Sequence, residues 1–272
     1  MKKVSLLGCG TLGLPLAKHL ISKGYSIKGS TTTESKISVL EQEQINPFQI
    51  SVAVDHIEGD ITSFLEESTT LIIDIPPSNF PPKPGVQEDI SRKIETLISH
   101  IEKSTIEHVI FVGSTSVYSD SSENLTVTEN DTESPESTSA KFLLEAEQLL
   151  LNNPNFKATI VRFGGLIGPT RHPIYYLAGR TDIANPTSPV NLIDEKDCIG
   201  VIEKIMILGI GNDIFNAVSP YHPSRKEYYT KKAIEFNLPL PQFNEEKESV
   251  GKTIDPSKLI QTLDYTFQTV NL

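Results

Sequence analysis

Tryptophan is absent from this 272-residue chain, and cysteine occurs only twice. Each scarcity excludes a class of protein. Two thiols, Cys9 and Cys198, cannot build a disulfide framework and fit a reducing compartment. No apolar run approaches the ~20 residues a membrane-spanning helix needs. Met1-Lys2-Lys3 followed by apolar residues has the outline of a secretion signal. Lys18 and Lys23 interrupt that stretch, glycines punctuate it, and no small-residue cleavage site follows. The expectation is a cytoplasmic protein with no membrane partner. Positive charge is also scarce: 24 Lys+Arg stand against 35 Asp+Glu, a formal net charge of −11. That balance argues against a nucleic-acid partner, whose binders carry basic stripes. The carboxylates between Asp120 and Glu147, interrupted by Lys141 alone, read as a solvated loop running into a helix face. Histidines are scattered without metal-ligand spacing, so no metal is expected.

What is present is an alternation of short β-rich runs with amphipathic helical stretches, the pattern of βαβ units and a parallel sheet. Val4–Leu7 reads as a strand and Leu12–Ile21 as the helix after it. Tyr25–Lys28 predicts a second strand, Val52–Val54 a weaker third, and Leu71–Ile75 a buried fourth. Val86, Ile90, Ile94, Leu97, Ile98 and Ile101 fall on one helical stripe. His108–Val112 predicts a fifth strand, Lys141–Leu151 an apolar helix, and Ala158–Val161 a sixth strand ending at Arg162. Beyond it, Gly164-Gly165, Gly168-Pro169 and the stretch from Asn185 to Pro189 mark long loops. Val190–Ile193, a helix over Glu195–Leu208 and Asp213–Val218 form a further unit, followed by a proline-dense tail.

Gly8-Cys9-Gly10-Thr11-Leu12-Gly13 matches G-x-G-x-x-G directly after a strand and at the opening of a helix. In that context the glycines permit a tight turn and close approach of backbone to a pyrophosphate, which sits on the helix N-terminus. Gly8, Gly10, Thr11, Leu12 and Gly13 are therefore the candidate dinucleotide-binding residues. The competing reading is a purely structural strand–helix turn. An acidic residue at the end of the second strand would hold the ribose hydroxyls of NAD. Here Ser30, Thr31, Thr32 and Thr33 stand instead, with Lys36 beyond them. Hydroxyls and an ammonium suit a 2′-phosphate, so NADP is the predicted cofactor, with NAD as the alternative. Thr33 could equally cap a helix. The fold class is α/β: a Rossmann-type doubly wound parallel sheet over 1–165 and 188–218, with a small substrate-facing lobe over 166–187 and 219–272.

Gly113-Ser114-Thr115-Ser116-Val117-Tyr118 after the fifth strand resembles the corresponding segment of extended short-chain dehydrogenase/reductases (SDRs). Arg162-Phe163-Gly164-Gly165-Leu166-Ile167-Gly168-Pro169 is similar to a later stretch of the same family, and Val190–Ile193 with Asp197 to its following strand and helix. Pro220, Ser224 and Arg225 resemble the segment near the lobe's first helix. The fit is to the atypical branch of YeeZ-like NAD(P)-dependent epimerase/dehydratase proteins. The resemblance implies Ser114 as the upstream catalytic hydroxyl and Lys141 as the catalytic lysine, both beside the cofactor. It also implies that Ile75-Pro76-Pro77 borders the dinucleotide, although the family carries a small, alanine-rich segment there. The family's catalytic Tyr-x-x-x-Lys is broken, because Ser137 holds the tyrosine position. A serine is shorter and far less acidic than a phenol, so it cannot simply take over proton transfer. Tyr118, Asp194, Glu195 and His172 are other proton donors to consider, each with a packing or loop-anchoring alternative.

Arg171, His172 and Arg180 lie in the loop after the sixth strand, where the family receives its substrate. The arginines suggest a carboxylate or phosphate on a small-molecule substrate. Salt bridges to the acidic segment around Asp131 and Glu133 are the equal alternative. The helices Val86–Ile101 and Phe142–Leu151 are more apolar than one buried face requires, and in extended SDRs such helices pair into a homodimer. Two functions follow. One is an NADP(H)-dependent oxidoreductase or epimerase of a small carbonyl or hydroxyl compound, such as a sugar or nucleotide sugar. The other is a catalytically silent NADP-binding sensor.

Overall fold

The computed structural model describes residues 2–75, 89–131, 135–269 and 272. Seven strands form one parallel sheet: β1 Lys3–Leu7, β2 Ser26–Thr31, β3 Asn46–Gln49, β4 Thr70–Ile73, β5 His108–Ser114, β6 Lys157–Phe163 and β7 Asp213–Ala217. Their spatial order is β7-β6-β5-β4-β1-β2-β3. β1 is central, with Lys3 opposite Ser26 of β2 and Val4 opposite Thr70 of β4. The chain winds outward from β1 to β3, returns to β4, and winds outward again to β7. Winding therefore reverses between β1 and β4, and ligands of such sheets bind outside the strands' carboxyl ends at that reversal. Val4–Leu7, Leu71–Ile73 and Ala158–Phe163 are buried residue after residue, as strands covered on both faces must be.

The helices are α1 Gly13–Ser22, α2 Ile37–Gln42, α3 Ile61–Leu65, α4 Ile90–Ile101, α5 Thr138–Leu151, α6 Ile174–Leu177, α7 Glu195–Leu208, α8 Arg225–Glu235 and α9 Ser257–Leu263. Two elements depart from expectation. The third sheet strand is Asn46–Gln49, whereas Ser51–Val52 pairs antiparallel with Ile57–Glu58 outside the sheet. β3 is an edge strand with two half-buried residues, where Pro47 is tolerated and no apolar run is needed. α4 begins at Ile90, behind an Asp89 side chain that accepts from the Arg92 N–H at 3.2 Å. Val86 lies outside the described residues. On α4 and α5, Ile90, Ile94, Leu97, Leu143 and Leu150 are buried within the chain, whereas Ile98, Phe142, Leu144 and Leu151 are half-buried. Among the large apolar side chains of these two helices, Leu149 alone is exposed.

The chain divides into two compact units, one of Met1–Val117, Pro135–Arg162 and Ile199–Ile214, the other of Tyr118–Ser134, Phe163–Cys198 and Phe215–Leu272. In the second, Gly165–Ile167 pairs in parallel with Leu192–Asp194, and Thr126–Val127 with Thr253–Ile254. Its core gathers Ile167, Ile174, Val190, Leu192, Tyr228, Tyr229, Ala233 and Leu272. α8 starts with a reciprocal cap: Ser224 accepts from the Glu227 N–H, and Glu227 accepts from the Ser224 N–H. Asp197, fully buried, accepts from the Tyr265 hydroxyl at 2.9 Å and the Gln268 N–H at 2.7 Å, which fastens the C-terminal tail. No helix among the described residues is long and apolar enough to cross a membrane.

Candidate functional site

The glycine-rich turn leaves β1 at the reversal of winding and enters α1 within six residues. Gly8 has φ +108°, and a Cβ there would stand 2.2 Å from the Asp74 carbonyl oxygen, so no other residue fits. A Cβ on Gly13 would stand 2.0 Å from the Gly8 carbonyl oxygen, which lets α1 pack hard against β1. Gly10 differs: a Cβ there would meet nothing within 4 Å, and Gly10 and Thr11 are exposed. Its bareness serves space outside the chain, not packing inside it. α1 has no side-chain cap and no acidic residue in its first turn. The Leu14 N–H donates to the Gly10 carbonyl at 3.1 Å and Pro15 has no N–H, so an anion would be met by the N–H groups of Leu12 and Gly13. Leu12 is buried beneath the turn.

β2 runs three residues further than expected and carries Ser30 and Thr31 within it. Both are buried: Ser30 Oγ accepts from the Gly8 N–H at 2.9 Å, and Thr31 Oγ1 accepts from the Thr33 N–H at 3.1 Å. Ser30 thus braces the glycine turn from below. Thr32, Thr33 and Lys36 are exposed, and Thr33 precedes the 3-10 turn Glu34–Lys36 without a side-chain cap bond. One carboxylate and one ammonium therefore follow the hydroxyls. Ile75 is half-buried, its Cγ2 3.5 Å from the Cβ position of Gly8. Pro76 and Pro77 lie outside the described residues.

Ser114 ends β5, half-buried, its hydroxyl accepting from the Ser116 N–H at 3.2 Å. Lys141 is exposed on the first turn of α5. Ser137 is the N-cap of that helix, its Oγ accepting from the Ala140 N–H at 3.1 Å. Ser137 therefore has a local occupation, satisfying one of the helix's unpaired N–H groups. Beneath Gly113 lies a fully buried ion pair that motif reading did not find. Arg162 Nη2 donates to Glu147 Oε2 at 2.6 Å, and Arg162 Nε reaches the two carboxylate oxygens at 3.1 and 3.3 Å. The signal was a charged residue inside the apolar stripe Leu143, Ala146, Leu150 of α5.

In the second unit the loop residues separate. Arg171 and Arg180 are exposed, with no carboxylate partner recorded among the described residues. Arg171 closes a turn with Gly168, each N–H donating to the other's carbonyl. His172 is instead part of the core. Its Nδ1 accepts from the Ile174 N–H at 3.1 Å, so its Nε2 carries the hydrogen and donates to the Tyr228 hydroxyl at 2.8 Å. Its ring also stacks on Tyr228. Burial, then the Lys232 ammonium, pull its pKa down to about 4. Tyr118 is buried as well, donating to Asn216 Oδ1 at 3.1 Å. Glu195 is held above the usual carboxylate range by burial and by neighbouring Asp194. Among the described residues no cluster of three or more His, Cys, Asp or Glu forms a metal site.

A doubly wound parallel sheet with this glycine turn at its reversal point defines a Rossmann-type α/β protein. The chain belongs to the YeeZ family: it is 32% identical to protein YeeZ of Escherichia coli strain K12 over 270 residues, 98% of this chain and 96% of that protein. No protein-family model matches it. Among solved structures, the fold is similar to a functionally unknown conserved protein from Silicibacter pomeroyi, with TM-score 0.80, 18% identity, and coverage of 100% of this chain and 95% of that one. It is also similar to the UDP-glucuronic acid 4-epimerase from Bacillus cereus in complex with NAD, with TM-score 0.80, 16% identity, and coverage of 98% and 91%. MoeE5 in complex with UDP-glucose and NAD gives TM-score 0.78, 17% identity, and coverage of 98% and 94%.

Proposed function

We propose that the chain binds a nicotinamide dinucleotide, NADP(H) by preference, and acts as an oxidoreductase or epimerase on a small carbonyl or hydroxyl compound. The observation that carries this reading is the glycine turn: Gly10 is bare toward open space, and α1 starts uncapped at the reversal of winding. A bound nicotinamide dinucleotide would supply hydride transfer. Around it, Ser114 would hydrogen-bond the reacting oxygen, and Lys141 would hold the nicotinamide ribose and contribute positive charge. Ser30 keeps the turn in shape, while Thr32 and Lys36, both exposed, would meet a 2′-phosphate. Arg171 and Arg180 would meet an anionic group of the substrate. The UDP-sugar ligands named with the fold's neighbours support a nucleotide sugar as the substrate class.

Since the chain has no tryptophan, nicotinamide fluorescence gives a clean binding titration. NADPH should bind more tightly than NADH, and equal affinities would refute the preference. Thr31→Asp keeps an acceptor for the Thr33 N–H while adding a charge. It should weaken NADPH more than NADH, by about 2–3 kcal/mol.

The capping role of Ser137 favours one second reading, a dinucleotide-binding sensor without turnover, because the family's phenol is replaced by a residue with a structural task. Tight NADPH binding without turnover of any nucleotide sugar or simple carbonyl compound would select it.

A further inference from the structure

Three arginines lie in the second unit, and they differ in their surroundings. Arg171 and Arg180 are exposed, so water and salt screen their charge. Arg225, the first residue of α8, is half-buried. Its backbone is fixed on both sides: the Arg225 N–H donates to the Ser188 carbonyl at 2.9 Å, and Ser224 before it is the N-cap of the helix. The guanidinium carbon stands 5.8 Å from the centre of the Tyr229 ring, one turn further along α8. Tyr229 is buried, and burial pushes its phenol up while the Arg225 charge works against that shift. In this seat Arg225 Nε is sealed from solvent, and no acceptor for it stands among the described residues. A sealed N–H left unmatched costs free energy that an acceptor would recover. The face of one ring cannot satisfy five N–H groups, so packing on Tyr229 leaves most of the guanidinium's donors unused.

Resting on the nucleotide-sugar reading of the substrate, we infer that Arg225 binds an oxyanion of that substrate, a phosphate or a carboxylate, through the paired N–H edge of its guanidinium. Two parallel N–H groups match two oxygens of one anionic group, which a lysine cannot do. Because Nε is sealed as the side chain now lies, binding requires the guanidinium to turn from the Tyr229 ring. The turn exchanges a cation–π contact for charge-assisted hydrogen bonds, the weaker interaction for the stronger. A partly buried charge also holds an anion more firmly than the solvated charges of Arg171 and Arg180.

Arg225→Gln removes the charge, and Arg225→Lys keeps it without the paired edge. The parent and both variants should be titrated by calorimetry with UDP-glucose and separately with UDP-glucuronic acid, with NADPH binding and thermal melting measured on each. Arg225→Gln should weaken at least one nucleotide sugar by roughly tenfold to a hundredfold, the scale of a charge-assisted hydrogen bond. Arg225→Lys should show a smaller loss, and NADPH binding should be unchanged in both. Equal losses on the two ligands identify the diphosphate as the anion, and a loss confined to UDP-glucuronic acid identifies the carboxylate; either supports the inference. Unchanged affinities in both variants overturn it, and if those variants also melt lower, Arg225 is a packing residue alone. An Arg225→Lys variant equal to the parent overturns it too, because charge without the paired edge would then suffice. A parent that binds NADPH but neither nucleotide sugar overturns the substrate class and this inference with it. Failure of all three proteins to bind NADPH refutes the dinucleotide reading separately, and the nucleotide-sugar titrations still decide Arg225.

Discussion

Glu147→Gln tests the internal support of the site. Glu147 and Arg162 have side chains 0% exposed, with contacts between them at 2.6, 3.1 and 3.3 Å among others. Replacing the carboxylate with an amide keeps the volume but leaves a guanidinium buried without its counter-charge. Breaking one side of such a pair costs about 3–5 kcal/mol. Replacing both, as in Glu147→Leu with Arg162→Met, removes the desolvated charges together. The double variant should therefore sit within about 1 kcal/mol of the parent, or above it. The pair also lies against the strand that ends in Ser114. A Cβ on Gly113 would stand 3.0 Å from Glu147 Oε1 and 3.3 Å from Ile160 Cγ2, so Gly113→Ala should cost about 1–3 kcal/mol by overpacking. Urea unfolding of the single and double variants measures both effects. A loss under about 1 kcal/mol for Glu147→Gln would refute the reasoning, because the buried guanidinium would then be satisfied without the carboxylate. So would a double variant less stable than the single.

Two further outcomes are expected. Ser137→Ala should lower stability by about 1 kcal/mol through loss of the α5 cap, with turnover within a few-fold of the parent, whereas Ser114→Ala and Lys141→Ala should each slow turnover far more; assaying all three on one substrate checks this, and loss confined to Ser137→Ala would reverse the site assignment. His172 has a folded pKa of about 4, below its unfolded value, so its contribution is complete above about pH 6.5 and is lost as pH falls toward 4, where the unfolded chain takes up the proton first. His172→Gln should flatten that limb of the stability curve by on the order of 2 kcal/mol, and an unchanged slope between pH 7 and 4.5 would show that the histidine titrates normally.

Elements buried on both faces were legible from the residues alone, because covered parallel strands must be continuously apolar. β1, β4, β5 and β6 therefore appear in the sequence as apolar runs. The helix over Glu195–Leu208 matches its expected bounds, its apolar period being undisturbed. The glycine turn was legible for another reason: a positive φ at Gly8 and close approaches at Gly8 and Gly13 admit no other residue, so the constraint is written in residue type. β3 was missed because an edge strand half open to solvent needs no apolar pattern.

What the tertiary structure decided is which groups meet across distance in the chain. The sequence displays Ser30 as one hydroxyl among several, and only the β1–β2 pairing places its Oγ under the Gly8 N–H. His172 was indistinguishable from a ligand-facing loop residue until Tyr228, 56 positions later, closed on its ring. Asp74 stood unremarked inside the expected strand Leu71–Ile75, and only the pairing of β4 with β1 brings its carboxylate to the first residue of α1. The physical reason is common to all three. Secondary structure is dictated by neighbours in the chain, which residue type records. The environment of a polar side chain is dictated by whatever the fold packs against it, and that no local pattern encodes.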